Sequence, residues 1–256
     1  VQGDTAVVKF GGGTGGSRSS QMGGIAVRRA GQAVVSRGLE VAAVLLQAPR
    51  ERVRYQAGVY RVDDGPAEVS LAEVARAAMD AQFGGAPLAE TVRYDRGSGY
   101  TFPNGCHVAE VAVDPDTGEI DVLRYTAVDD CGRVINPLLA TGQVHGGVVQ
   151  GLGQALLEHA VYDHYGQLLT GSFMDYAMPH ASDMPDIDVA FHEVLEPTNE
   201  LGVKGIGEGG ACAAPHVVFN AVCDALRRAG IDRDQRDRLQ MPLTAEKVWR
   251  CCAAGG

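Results

Sequence analysis

Ten residues constrain this chain more than any others: Gly-Gly-Gly-Thr-Gly-Gly-Ser-Arg-Ser-Ser at positions 11–20. The glycines leave backbone amides uncovered. Thr14, Ser17, Ser19 and Ser20 add hydroxyls, and Arg18 adds a guanidinium, just ahead of a helical pattern. Amides, hydroxyls and a fixed positive charge at a helix start are what holds a diphosphate. The same composition also makes flexible linkers, so the run alone does not decide. The apolar stretch Ala6–Phe10 before it reads as a strand.

Gly11, Gly13 and Gly16 also satisfy G-x-G-x-x-G, which makes a nicotinamide-dependent oxidoreductase one reading of the chain. That fingerprint needs an acid about 20 residues on, at the end of the next strand, to hold a ribose. The candidate strand Val41–Leu46 ends in Gln47 instead. A P-loop is excluded, because Ser17 and Arg18 occupy the places of its Lys and Ser or Thr.

Further along, residues 21–47 read as a helix and a short apolar continuation, with Ile25, Val27, Ala30, Val34 and Val35 on one helix face. Two short strands are expected near 52–62. Ser70 followed by Glu73 is a capping box opening a helix over 71–82. Glycines and a proline between Thr91 and Gly105 suggest a division near residue 100, giving lobes 1–100 and 101–256. Beyond it, 107–114 and 119–129 alternate around a turn at 115–118, which is a hairpin. Asn136-Pro137 opens a helix to about His159, and another is expected over 215–229, stopped by Gly230. The fold class is α+β, with two mixed α/β lobes.

Composition narrows the partners. Twenty-two basic against 32 acidic residues give a net charge of -10, which repels phosphate backbones, so nucleic acid is not expected. No apolar run approaches the roughly 20 residues of a membrane span, and a cytoplasmic location is expected. The six cysteines show no CxxC pair and read as reduced structural thiols; the seven histidines show no metal-ligand pattern.

Three more segments follow the glycine loop: Asp129-Asp-Cys-Gly-Arg-Val-Ile-Asn-Pro137, Gly146-Gly-Val-Val-Gln-Gly-Leu-Gly-Gln-Ala-Leu156 and Lys204-Gly-Ile-Gly-Glu-Gly-Gly210. In this order they resemble the molybdopterin-binding large subunit of the molybdenum hydroxylases, the superfamily of xanthine dehydrogenase, aldehyde oxidase and carbon monoxide dehydrogenase. The resemblance implies the C-terminal, cofactor-binding part of that subunit. It assigns cofactor contacts to Gly15, Gly16, Ser17, Arg18, Ser19, Ser20 and Gln150, and catalysis to Glu208. Lys204, four residues before Glu208, is a candidate to contact the cofactor or modulate the base.

The implied reaction is oxidative hydroxylation of an aldehyde, N-heterocycle or similar small substrate by water, with Glu208 as general base. The implied cofactor is molybdopterin cytosine dinucleotide, its molybdenum held by the cofactor's dithiolene and not by protein ligands. Iron-sulfur clusters and FAD are expected on partner subunits, and an N-terminal half of the large subunit ahead of Val1. A cofactor-less structural relative stays open as an alternative. It separates from the enzyme by whether Gln150 and Glu208 share a cleft.

Overall fold

The computed structural model describes residues 4–9, 13–95, 97 and 99–253. The chain forms two compact units: Met22–Ser98, and Val1–Gln21 joined to Gly99–Gly256. These units are not the lobes 1–100 and 101–256 that the sequence suggests, since the first 21 residues group with the second half of the chain. The described part of the glycine loop groups with the unit beginning at Gly99, and not with the helix that follows it in sequence.

In the Met22–Ser98 unit, α1 (Ile25–Leu45) and α2 (Leu71–Ala77) accompany an antiparallel sheet of β1 (Val53–Gln56), β2 (Val59–Val62) and β3 (Glu68–Ser70). Its core gathers Val41, Ala42, Val53, Tyr60, Val74 and Ala78. Gly38 lets Tyr60 lie against α1, since a Cβ there would overlap the Tyr60 hydroxyl. The capping box forms as expected: Ser70 Oγ accepts from Glu73 N at 3.2 Å, and Glu73 Oε2 accepts from Ser70 N at 2.9 Å. Val27 departs from expectation and is 73% exposed, because two positions after Ile25 lie about 200° around a helix.

Val41–Leu46 is not a strand. It continues α1 to Leu45, with Val41 and Ala42 buried. Residues 4–9 are turn and irregular chain rather than the expected strand, while Phe10, Gly11 and Gly12 lie outside the described residues. The dinucleotide-binding reading therefore loses both of the strands it requires.

The larger unit is built on a three-stranded sheet. β4 (Asn104–Val113) and β5 (Ile120–Asp130) form the expected hairpin, and β6 (Ile187–Phe191) adds parallel to β5. The inward residues of the strands pack under α3 (Pro137–Leu156) and α4 (Gly209–Arg228), closed by α6 (Ala245–Ala253). Asn136 caps α3 by accepting from Leu139 N at 3.2 Å. The α4 helix starts six residues earlier than Pro215 suggested. Close packing accounts for this: a Cβ on Gly210 would lie 2.6 Å from Val148 N, and one on Gly151 2.7 Å from Ala214 Cβ. The two helices thus come close along Gly147, Gly151, Gly210 and Ala214, with backbone against backbone where Gly147 meets Gly210.

Candidate functional site

The glycine loop is shaped by residues that tolerate a left-handed backbone. Gly13 and Gly16 have φ of 61° and 60°, and Ser17 adopts 52° despite its side chain. Internal bonds hold the loop. Arg18 Nη2 donates to Gly13 O at 3.1 Å, and the hydroxyls of Thr14 and Ser19 lie 2.7 Å apart.

Glu208 stands immediately before α4, exposed, and Ser17 Oγ donates to its Oε2 at 3.0 Å. The approach depends on the neighbouring glycines. A Cβ on Gly205 would sit 2.7 Å from Ser17 Cβ, and one on Gly207 3.0 Å from Ser17 Oγ. The loop and the Gly205–Glu208 turn, 191 positions apart, are thereby in direct contact.

Two clefts open on either side of this contact and share Ser17, Cys131 and Ile206 in their walls. One, of about 480 Å³, is lined by Ser19, Ser20, Asn136, Gln143 and Lys204 among others. The other, of about 440 Å³, is lined by Gly16, His107, Asp129, Glu208 and Cys212. Both fall within the range of about 300–1,000 Å³ usual for ligand pockets.

Lys204 does not turn its ammonium to Glu208. It pairs with Asp130, and the two side chains are 9% and 6% exposed. Asp130 Oδ1 also accepts from Gly132 N at 2.9 Å and Val194 N at 3.1 Å. Burial alone would push the Asp130 carboxyl up; the bonds from Lys204, Gly132 and Val194 and the lysine charge outweigh it and hold it below the usual range. Next to it, His107 is bound between Tyr125 Oη at 2.9 Å and Asp129 Oδ1 at 3.1 Å. Burial first, then the Asp129 charge, pushes the Tyr125 hydroxyl up.

Gln150 lines neither cleft and is exposed on α3, so the cleft it was expected to share with Glu208 is not seen, and the choice between enzyme and cofactor-less relative falls to the other residues. Gln143, seven residues earlier, is on the same helical stripe but about 10 Å nearer the N-terminal end, where the cleft lies. Gln143 Nε2 donates to Gly207 O at 2.7 Å. Gln143 and His107 were passed over in sequence. Gln143 belongs to none of the three segments above, although its place just under two turns before Gln150 was a signal of a shared face.

The residues present suit a large anionic cofactor: hydroxyls ring one cleft, and added Cβ atoms at Gly15 and Gly16 would meet nothing within 4 Å, so the loop presents bare backbone. Comparison with known proteins agrees. Residues 1–185 match the molybdopterin cofactor-binding domain model. The chain is 36% identical to the 6-hydroxypseudooxynicotine dehydrogenase complex subunit gamma of Paenarthrobacter nicotinovorans, over 98% of this chain and 32% of that protein. It is 38% identical to the nicotine 6-hydroxylase large subunit of the same organism, over 94% of this chain and 30% of the relative. The crystal structure of quinoline 2-oxidoreductase from Pseudomonas putida 86 superposes with a TM-score of 0.82 at 35% identity, covering 96% of this chain and 31% of that one.

The fold is thus that of the cofactor-holding part of a molybdenum-dependent oxidoreductase. The chain belongs to the molybdopterin cofactor-binding domain family of the molybdenum hydroxylases, and corresponds to the C-terminal part of their large subunit. It spans about a third of the length of the curated relatives it matches. Among the described residues, no helix is long and apolar enough to cross a membrane.

Proposed function

We propose that this chain holds molybdopterin cytosine dinucleotide in a molybdenum hydroxylase that inserts an oxygen from water into a small organic substrate. The observation that carries the reading is the Ser17 to Glu208 bond, which seats the phosphate-type loop against the one carboxylate at the mouth of α4. Gly15, Gly16, Ser17, Arg18, Ser19 and Ser20 supply amides, hydroxyls and charge to the cofactor's phosphates and pterin. Gln143 joins them through its place in the cleft wall, and Gln150 through the resemblance alone.

The bound cofactor would supply the two-electron oxidation, and water the inserted oxygen. Glu208, exposed in its cleft, takes the proton released as that oxygen is transferred, while Ser17 fixes the orientation of its carboxylate. Glycines 205 and 207 keep the approach open. Two of the relatives above are named for nicotine or quinoline, which favours an aromatic N-heterocycle over an aldehyde. Electrons would leave to iron-sulfur and flavin partners, and a further part of the large subunit would complete the site, in the cytoplasm.

Metal and nucleotide analysis of the chain purified with its partner subunits tests this. Molybdenum together with released cytidine monophosphate is the expected result. Neither in a fully assembled complex would move the chain to the cofactor-less relatives.

A further inference from the structure

We infer that Asp130 and Lys204 are a buried positioning pair that fixes the turn carrying Glu208, acting through the backbone and not on cofactor or substrate. The meaning of the pair for catalysis rests on the reading of Glu208 as base; its mechanical role does not.

One carboxylate joins four segments. Asp130 Oδ2 receives Lys204 Nζ and, at 3.4 Å, Asn104 Nδ2 from the start of β4. Its Oδ1 receives Gly132 N, in the turn after β5, and Val194 N, in the chain leaving β6. Lys204 is gripped a second time, because its own N–H donates to Cys131 O at 2.7 Å. Val203 pairs with Gly132 in an isolated antiparallel bridge, and Asn199 brackets Val203 through both N–H and C=O, at 3.1 and 2.8 Å.

Only Gly205, Ile206 and Gly207 separate this anchor from Glu208. Two glycines in three residues give the link little stiffness of its own. Its course is therefore set at its ends: by Lys204 on one side, and by the tight seating of Gly210 on α3 on the other. A buried ion pair contributes little net stability compared with an apolar pair of similar volume. What it does supply is a single geometry, since carboxylate and ammonium are satisfied together in only one arrangement of the four segments.

The test uses the assembled complex and three variants. Asp130→Asn keeps an oxygen for the Gly132 and Val194 amides; Lys204→Met removes the ammonium; the double variant leaves no buried charge alone, which guards against simple misfolding. Turnover per bound molybdenum is expected to fall about 10- to 100-fold with KM within about threefold of wild type, as for a displaced catalytic group. Hydrogen exchange across 202–212 is expected to quicken in all three. Unchanged turnover per molybdenum, with only a lower melting temperature, would make the pair merely structural and overturn the inference. Molybdenum lost in proportion to activity would make Lys204 a cofactor contact, and would overturn it too. Exchange is read without activity, so unchanged protection across 202–212 sinks the inference even where Glu208→Gln is inactive. Quickened exchange beside an active Glu208→Gln would instead sink only the base reading.

Discussion

Ser17 and Glu208 share a hydrogen bond of 3.0 Å across 191 positions of sequence, and the glycines at 205 and 207 are what allow it. The loop proposed to bind and the turn proposed to react are therefore one structure. Changes made on either side are expected to be felt on the other.

The first consequence concerns the base. Glu208→Gln in the assembled complex keeps the shape of the side chain and the contact with Ser17 but cannot accept a proton. Turnover is expected to fall by about 10²–10⁴, the usual worth of a general base, with molybdenum content unchanged. Steady-state rates normalised to molybdenum check this, and retained turnover would remove Glu208 from that role.

A second expectation separates orientation from retention. Ser17→Ala removes a hydrogen bond to a carboxylate while leaving the loop in place, so turnover is expected to drop about tenfold with the cofactor retained. Replacing Ser17 and Arg18 together strips the loop of a hydroxyl and its guanidinium. Cofactor content measured after gel filtration is then expected to fall, and normal loading would count against the loop assignment.

The α3 and α4 contact offers a stability test independent of chemistry. Gly151→Ala places a methyl group 2.7 Å from Ala214 Cβ and 2.8 Å from Pro215 Cδ. Overpacking of this kind costs about 1–3 kcal/mol. Thermal denaturation is expected to show it as a lower midpoint, whereas Gly142→Ala, inside α3 where an added Cβ meets nothing within 4 Å, is expected to raise the midpoint by a few degrees, since alanine favours helix over glycine by about 1 kcal/mol.

Asp130 gives a signed pH dependence. Its carboxyl is held below its ordinary value of 3.8, so its contribution to folding is complete at neutral pH. That contribution is lost as pH falls from about 3.8 through the lower folded-state value. Denaturation profiles between pH 7 and 3 are expected to show a shallower acid decline for Asp130→Asn than for wild type, with no difference in slope above about pH 5. Parallel declines would show that the ion pair does not govern acid stability.

Residues with strong backbone demands were the legible ones. The capping Ser70, the Asn136 cap, the hairpin alternation and the glycines beside Glu208 act through their nearest neighbours, so local pattern reports them. The start of α4 was not legible, because Gly209 and Gly210 are poor helix formers and only the backbone of α3 makes helix worthwhile there. Val41–Leu46 misled for a related reason: a buried helical end rich in apolar residues has the same appearance as a strand. Within the site, Glu208 and the loop stood out. Gln143 and the Asp130 and Lys204 pair did not, since their positions depend on which segments the fold brings together.

The backbone contact between α3 and α4 has a bearing on how such a site can change over time. Where Gly147 meets Gly210 no side chain stands between the helices to swap for a larger or smaller one, so the floor next to Glu208 has little neutral variation available to it. New specificities must then arise from the cleft walls, where added bulk has somewhere to go. The Glu208 carboxylate then stays at a fixed height while the chamber around it is remodelled.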